Sequence, residues 1–186
     1  MSAVSIDDVT MRIVTSPEQF MHALTVRAIC FMEGKTPLSA EQAIDGNDYL
    51  STHVIVYCKQ EPIGSARIRW FCDFAKIERT AFRPAYRNRH VLIKSANFIF
   101  DHIAQKGYRC AITHAEPEYA RLWQRTLGFK MAAERPTVIA EGHEPYYELI
   151  KYLDPPESAI TLQTPPVVMF RTEGQWDIPS AFEAKQ

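Results

Sequence analysis

The sequence lacks the features that would mark it as secreted, membrane-bound or built around a metal. Its four cysteines are scattered and form no CxxC pair, so neither a disulfide framework nor a zinc site is indicated. The first ten residues are polar and acidic and do not resemble a signal peptide. No apolar run approaches the length of a membrane span. We therefore expect a cytoplasmic protein with reduced thiols, no membrane partner and no metal.

An excess of charge of one sign is lacking as well. The chain has 21 Lys and Arg residues against 22 Asp and Glu, whereas a domain that binds nucleic acid usually carries a strongly basic face. We therefore expect no nucleic-acid partner. What the chain does have is 46% apolar residues over 186 positions, which is enough to bury one core of ordinary size.

Residues 75–96 are the stretch around which we expect the rest of the chain to be organised. They have the pattern of a strand, a tight basic turn and the start of a helix that ends near Gly107. The two-residue alternation of a strand predicts that four residues share one face. These residues are Lys76, Glu78, Thr80 and Phe82. Arg79 and Ala81 are then predicted on the opposite face.

The turn after this strand has the properties of an anion site. The first backbone N–H groups of a helix lack partners within the helix, and the helix dipole is positive there. Four cations flank the turn in the sequence: Arg83, Arg87, Arg89 and Lys94. The pattern indicates a ligand with more than one phosphate. A solvated basic face is the alternative interpretation.

The remaining segments predict an α/β (α+β) fold with a mixed, mostly antiparallel sheet of six or seven strands and helices on both faces. The helix after the basic turn connects two strands, so these strands are expected to be parallel neighbours. In chain order the other predicted elements are a strand at 11–15, a helix at 17–32, a short helix at 39–44, hairpin strands at 53–58 and 65–71, a buried strand at 108–113, a helix ending at Gly128, and late strands near 131–139 and 146–153.

This order of elements, with Leu-Gly-Phe at the end of the last helix, resembles the GCN5-related N-acetyltransferase (GNAT) superfamily over residues 11–153. The resemblance implies a GNAT domain at 1–153 that transfers an acetyl or other acyl group from acetyl-CoA to a primary amine by direct attack. In the family the turn carries an Arg/Gln-x-x-Gly-x-Gly/Ala motif that holds the pyrophosphate of acetyl-CoA. Arg87 fits the first position, but His90 and Leu92 replace the small residues, so the motif is degenerate.

The resemblance also implies which residues form the site. The residues expected to bind acetyl-CoA are Ala81, Phe82, Arg87, Asn88, Arg89, His90, Val91 and Leu92. Glu78 corresponds to the general base of some members, because an amine must lose a proton when it attacks a thioester; an ordinary ion pair is the alternative. Trp123 stands where many members have a tyrosine as general acid, and Tyr119 is the expected substitute. His114 is a further candidate for chemistry in the cleft, with a structural histidine as its alternative.

The first helix and the acidic segment after it are expected to meet the acceptor, which is expected to be a small-molecule or peptide amine. The residues assigned to the acceptor are Arg27, Phe31, Glu33 and Asp48. The alternatives are a surface arginine that covers apolar neighbours and acidic residues of a solvated loop. This part of the chain is also similar to acyl-homoserine-lactone synthases, which gives the alternative enzymatic function.

Residues 154–186 differ in composition and predict a proline-rich arm. Pro155-Pro156 and Pro165-Pro166 exclude regular helix or central strand at those points. Several large apolar residues follow, and these need a surface to pack against. The arm is therefore expected to wrap around its own domain or a second copy, and we expect a homodimer. The alternative to an enzymatic function of the whole chain is a non-catalytic module that senses CoA or binds another protein.

Overall fold

The computed structural model describes residues 5–33, 37–132, 136–137 and 145–183. These residues form the predicted mixed sheet, which has seven strands. In chain order the strands are β1 (Val9–Ile13), β2 (Thr52–Cys58), β3 (Glu61–Trp70), β4 (Ala75–Phe82), β5 (Cys110–Ala115), β6 (Lys130–Met131) and β7 (Tyr147–Tyr152). Across the sheet their order is β1-β2-β3-β4-β5-β7-β6. Part of the late strand predicted near 131–139 falls at 133–135 and 138–139, outside the described residues.

The described residues also contain four α-helices and four short 3-10 helices. The α-helices are α1 (Pro17–Met32), α2 (Ala40–Ala43), α3 (Arg89–Gln105) and α4 (Pro117–Leu127). Hydrogen bonds to side chains set the starts of α1, α2 and α3. The hydroxyl of Ser16 accepts a bond from the N–H of Gln19 at α1, and Ser39 forms a capping box with Gln42 at α2. In the part of the chain that is described, no helix is both long and apolar enough to cross a membrane.

The connections confirm the predicted topology. The first four strands form an antiparallel meander, and α3 then crosses over to β5, which pairs with β4 in the parallel direction. Helices α3 and α4 cover one face of the sheet, where Ile77 and Ile103 belong to the main core. Helix α1 covers the other face, where Val26 packs with Ala81. The sheet therefore separates two apolar layers, with helices on both faces as predicted.

A β-bulge interrupts the middle of β4. Glu78 lies opposite Arg67 of β3, and Ala81 lies opposite Ser65, so two residues of β4 face the single residue between Ser65 and Arg67. The first of the two is Arg79, whose φ of 54° is in the left-handed region. Few residues other than glycine adopt this conformation, so the bulge is held by interactions of the residues around it.

The bulge changes which residues of β4 share a face. Glu78 and Arg79 both reach the α1 side of the sheet, where their side chains join one group of ion pairs with Asp45 and its neighbours. Thr80 and Phe82 turn to the α3 side, where they line a cavity. The prediction that Thr80 and Phe82 share a face with Glu78 is therefore wrong, because one inserted residue reverses the alternation.

The arm after β7 packs along α3 of its own domain. The N–H of Ile160 donates to the carbonyl oxygen of Gln105 at 2.8 Å. Farther along, the carboxylate of Glu173 lies 2.8 Å from the ammonium of Lys106 and 3.1 Å from the ring of His102. These contacts fasten the arm to one side of the domain. The division into a domain and an arm, and the homodimer, stay predictions.

Gly128 ends α4 in the left-handed conformation, with φ of 74°. We expect Gly128→Ala to lower the free energy of unfolding by about 1–2 kcal/mol, because a Cβ in this conformation approaches the following carbonyl oxygen. Gly46→Ala is the matched control, since a Cβ there meets nothing within 4 Å, and its effect should stay within about 0.5 kcal/mol. Urea denaturation of both variants measures the difference, and equal losses would contradict the explanation.

Candidate active site

Strands β4 and β5 are neighbours for a short distance and then diverge. They pair at Ala75 with Ala111 and at Lys76 with Ile112, and no other pair joins these two strands, all of whose residues are described. The backbone groups on that side of β4 beyond Lys76 therefore face a gap instead of a neighbouring strand. Free backbone N–H and C=O groups of this kind can pair with an extended ligand that enters the sheet.

The N-terminus of α3 follows β4 in the chain and supplies the predicted anion site. Asn88 is the residue before the helix, and its side-chain oxygen accepts a hydrogen bond from the N–H of Val91 at 2.9 Å. The N–H groups of Arg89 and His90 occupy the first two helical positions, where no partner exists within a helix. Both residues are exposed. An anion at this position would therefore meet free donors and the positive end of the helix dipole.

Two of the four cations predicted around this turn are engaged elsewhere. The guanidinium of Arg83 pairs with the carboxylate of Glu61 at 2.5 Å, and the ammonium of Lys94 donates to two backbone oxygens near the start of β1. Arg87 and Arg89 are exposed and form no ion pair with any described residue. The Nε of Arg87 donates to the carbonyl oxygen of Phe82 at 2.8 Å, which leaves its terminal nitrogens for an anion. The charge available to an anion at α3 is therefore that of two arginines.

The two bulky residues of the degenerate motif differ in their effect. Leu92 is half-buried and lines a cavity under β4, so its side chain points away from the exposed start of the helix. His90 is exposed and lies next to the free N–H groups. Of the two replacements, His90 is therefore the one whose side chain limits how closely a phosphate approaches the backbone.

Glu78 is held in ion pairs. One carboxylate oxygen lies 2.7 Å from a guanidinium nitrogen of Arg67, and the other lies 3.2 Å from the ammonium of Lys76. Arg69 approaches to 4.0 Å. The structure thus shows the ordinary ion pairing that was the alternative for this residue. The side chain is 16% exposed, so an acceptor can reach it if one partner moves.

Next to Glu78, the guanidinium of Arg67 binds a second and a third carboxylate. Its nitrogens lie 2.7 Å from Asp45 and 2.8 Å from Asp48. Asp48 also pairs with Arg27 of α1, and Arg79 pairs with Asp45 at 3.0 Å. Together with Glu78 these residues form a continuous group, which we call the arginine network. It joins α1, the segment 40–50 and two strands.

Burial and hydrogen bonding oppose each other at the carboxylates of the network. Burial alone would raise the pKa of Asp48, but hydrogen bonds from Arg27 and Arg67 outweigh it and lower that pKa below its ordinary value. At Asp45 burial would likewise raise the pKa, but hydrogen bonds from Arg67 and Arg79 outweigh it and lower that pKa. Both groups therefore stay ionised until the solution is strongly acidic.

The predicted contacts of Arg27 and Asp48 with an acceptor need correction. The side chain of Arg27 has no exposed surface, and that of Asp48 is 1% exposed, because each compensates the charge of the other inside the protein. The alternatives, a surface arginine and a solvated acid, are wrong for the same reason. Phe31 is half-buried against the α1 core, while Glu33 is exposed at the end of α1.

Three members of the network, Arg67, Asp45 and Arg79, were not among the residues predicted to form the site. Arg67 lies in the middle of β3 within a run of six buried residues. A charged residue in such a run is a signal for a buried ion pair. The acidic partners in this ion pair are Asp45 and Asp48. Arg79 carried no comparable signal, because its direction depends on the bulge.

The far side of the gap is formed by β5, β7 and α4. His114 of β5 faces Glu148 of β7, with 3.1 Å between the ring and the carboxylate. Burial and the nearby charge of Lys76 lower the pKa of His114, and Glu148 opposes this effect. Tyr119 is 49% exposed near the start of α4. Trp123, one turn later, is half-buried and reaches the cavity under β4.

Comparison with known proteins identifies the fold. No protein-family model and no curated protein matches the chain. A proposed N-acetyltransferase of Lactobacillus plantarum has a similar structure, with 22% identity, a TM-score of 0.67, and coverage of 78% of this chain and 98% of its own. The ribosomal-protein-S18-alanine N-acetyltransferase of Escherichia coli is 13% identical, with a TM-score of 0.61 and coverage of 83% of this chain and 99% of its own. A GNAT-family acetyltransferase of Elizabethkingia anophelis, solved with acetyl-CoA bound, is 15% identical, with a TM-score of 0.59 and coverage of 79% of this chain and 99% of its own.

These similarities extend over nearly the whole length of each solved structure. At such low identity they establish the fold and leave the activity to be argued from the site. The chain has the GNAT acetyltransferase fold, which confirms the fold predicted from the order of its elements.

Arg27→Leu is expected to lower the free energy of unfolding by about 3 kcal/mol, because it leaves the buried carboxylate of Asp48 with fewer cationic partners. Lys59→Met is the control. Lys59 pairs with Asp8 at 3.8 Å, and its side chain is 75% exposed, so the loss should be below about 1 kcal/mol. Chemical denaturation at neutral pH compares the two, and a small effect of Arg27→Leu would show that the network does not stabilise the fold.

The network should make stability depend on acid. The folded pKa values of Asp45 and Asp48 are lowered, so their contribution is complete above the unfolded pKa of about 4 and is lost as the pH falls through the folded values. Asp45→Asn should reduce the slope of unfolding free energy against pH below about pH 4. Asp101→Asn, which changes an exposed acid on α3, should leave the slope unchanged. Denaturation between pH 2 and pH 6, as a rough range around that pKa, tests this.

Proposed function

We propose that this chain is an N-acetyltransferase that moves an acetyl group from acetyl-CoA to a primary amine. The observation that carries the proposal is the combination, at one site, of an open edge on β4 and free N–H groups at the start of α3. A donor with a charged end and an extended, amide-containing arm matches both features. The similar solved structures support the proposal, since several are named as acetyltransferases and two contain acetyl-CoA.

The donor is proposed to lie along β4. Its pyrophosphate would accept hydrogen bonds from the N–H groups of Arg89 and His90 and pair with the guanidinium of Arg87. Its extended arm would pair with the free backbone groups of β4 between Lys76 and Phe82. This direction brings the thioester close to the bulge, where the α1 side of the sheet carries Glu78.

The reaction is proposed to be a direct transfer. The nitrogen of the neutral amine attacks the thioester carbon, a C–N bond forms, and the C–S bond breaks as the thiolate of CoA leaves. The oxyanion formed at the carbonyl would be stabilised by N–H groups of β4 near Ala81, because donors held in place favour developing charge. An ordinary thiol pKa of about 8.5 makes the thiolate a tolerable leaving group near neutral pH.

Glu78 is proposed as the acceptor of the proton that the amine loses. Its carboxylate lies beside the bulge on the α1 side, and it would exchange its bond with Lys76 or Arg67 for one with the amine. Tyr119 is proposed as the donor of a proton to the leaving thiolate from the β5 side. The acceptor is proposed to approach past Glu33, and the arginine network holds the segment 40–50 that borders this approach.

Titration of acetyl-CoA into the purified protein by isothermal calorimetry tests the donor site. We expect micromolar binding, and we expect Arg87→Ala to weaken it about tenfold, because a charge-assisted hydrogen bond is lost. Arg125→Ala removes an exposed arginine from α4 and should leave the affinity unchanged. The absence of binding to acetyl-CoA and to longer acyl-CoA donors would contradict the proposal.

If acetyl-CoA binds, turnover separates an enzyme from the non-catalytic alternative. Amines of different classes are supplied with acetyl-CoA, and release of free CoA is followed with a thiol reagent. Glu78→Gln should slow this release at least about a hundredfold and leave CoA affinity unchanged. Full activity of that variant would exclude Glu78 as the base, and binding without release for any amine would favour a module that senses CoA.

A further inference from the structure

Arg79 holds the bulge of β4 in a backbone conformation that strains it. Its φ of 54° lies in the left-handed region, which few residues other than glycine adopt. Strain of this kind is often found where a protein binds a ligand. Glycine would adopt the same conformation without strain, so the presence of arginine here indicates a use for its guanidinium.

Only part of this guanidinium is engaged by the described residues. Its Nη2 donates to the carboxylate of Asp45 at 3.0 Å, and neither Nε nor Nη1 donates to any other residue of the described ranges. The side chain is 28% exposed. Asp45 also accepts hydrogen bonds from two nitrogens of Arg67, so its charge does not depend on Arg79 alone. Arg79 therefore has donor capacity left for a ligand.

Arg79 also lies close to the far side of the gap between β4 and β5. Tyr147 pairs with Ala115, the last residue of β5, so Tyr146 lies just beyond the end of that strand. Burial and the carboxylate of Glu116 raise the pKa of Tyr146, and the nearby charge of Arg79 opposes them. The guanidinium and the phenol are therefore neighbours across the end of the gap, on the side that Glu78 occupies.

The charges around this space are of both signs. Glu78 and Glu116 are anionic, and Arg79 lies between them. An acceptor with cations alone would be repelled by Arg79, and one with carboxylates alone would be repelled by Glu78. A molecule with an amine and a carboxylate avoids both conflicts. Because the bulge turns two consecutive residues to one side, the groups that they bind need only a short separation, as in an amino acid.

We propose that Arg79 selects the acceptor by binding a carboxylate on it, so that the acceptor is an amino acid or a similar short amine with a carboxylate. The guanidinium pairs with the carboxylate through charge-assisted hydrogen bonds, and the hydroxyl of Tyr146 is a second donor. The amine then approaches Glu78. This inference rests on the proposed function, which specifies only a primary amine. Polyamines and amines without a carboxylate are poor acceptors.

The test supplies the standard α-amino acids, β-alanine and 4-aminobutyrate, each beside its carboxamide, and follows release of free CoA from acetyl-CoA. The unmodified protein should have the higher kcat/KM for the acid. Arg79→Gly keeps the left-handed backbone and should lower the ratio of acid to amide at least about tenfold, because the charge-assisted bonds are lost. Comparing this ratio between two proteins cancels the intrinsic reactivity of the amines. Arg12→Gln, at an exposed position of β1, should keep the original ratio.

The outcomes separate this inference from the proposed function. If the unmodified protein acetylates amides or simple amines as well as the acids, or if Arg79→Gly keeps the ratio, the inference fails and the acetyltransferase stands. A role limited to holding Asp45 would lower activity with acids and amides alike. If no amine releases CoA, the enzymatic proposal fails and the inference with it. Arg79→Gln, which removes the charge and keeps a side chain, replaces the glycine variant if that does not fold.

Discussion

The compensation of one buried guanidinium, that of Arg67, is the constraint on which the candidate site depends. Carboxylates from the segment before β2 and from β4 converge on it, and a second buried arginine, Arg27, completes the group. Because an uncompensated charge cannot be buried at reasonable cost, these elements have little freedom to shift relative to one another. The α1 side of the candidate site is thus shaped by electrostatics, and the open edge of β4 by backbone hydrogen bonding.

The bulge in β4 links these two sides. Without it, consecutive residues would alternate between faces, and Glu78 and Arg79 would point in opposite directions. The inserted residue lets both reach the α1 face, where Asp45 compensates Arg79. The unfavourable backbone of Arg79 is therefore balanced by an ion pair that the regular strand could not make. The same insertion directs Thr80 to the opposite face and into the cavity.

Much of the fold followed from local patterns, because caps, turns and periodicity act over a few residues. Ser16 and Pro17 predicted the start of α1, Gly128 the end of α4, and the basic turn the start of α3. The errors arose where distant residues decide. The spacing of Arg27 in the sequence is the same whether its side chain lies on the surface or pairs with Asp48. The bulge at Arg79 contains no glycine, so the sequence gives no signal for it. The roles of Glu78 and Tyr119 depend on a bound donor and acceptor, which local patterns do not contain.

The short contact between β4 and β5 also has a mechanical meaning. The sheet consists of a four-stranded part and a three-stranded part that are registered at two residue pairs, Ala75 with Ala111 and Lys76 with Ile112. Fewer backbone pairs cross this line than join any two neighbours among the first four strands, so the resistance of the sheet to bending is low there. A small rotation of the β5–β7–β6 part about these two pairs would widen or narrow the gap. The two pairs therefore lie where the sheet would bend if an extended ligand entered.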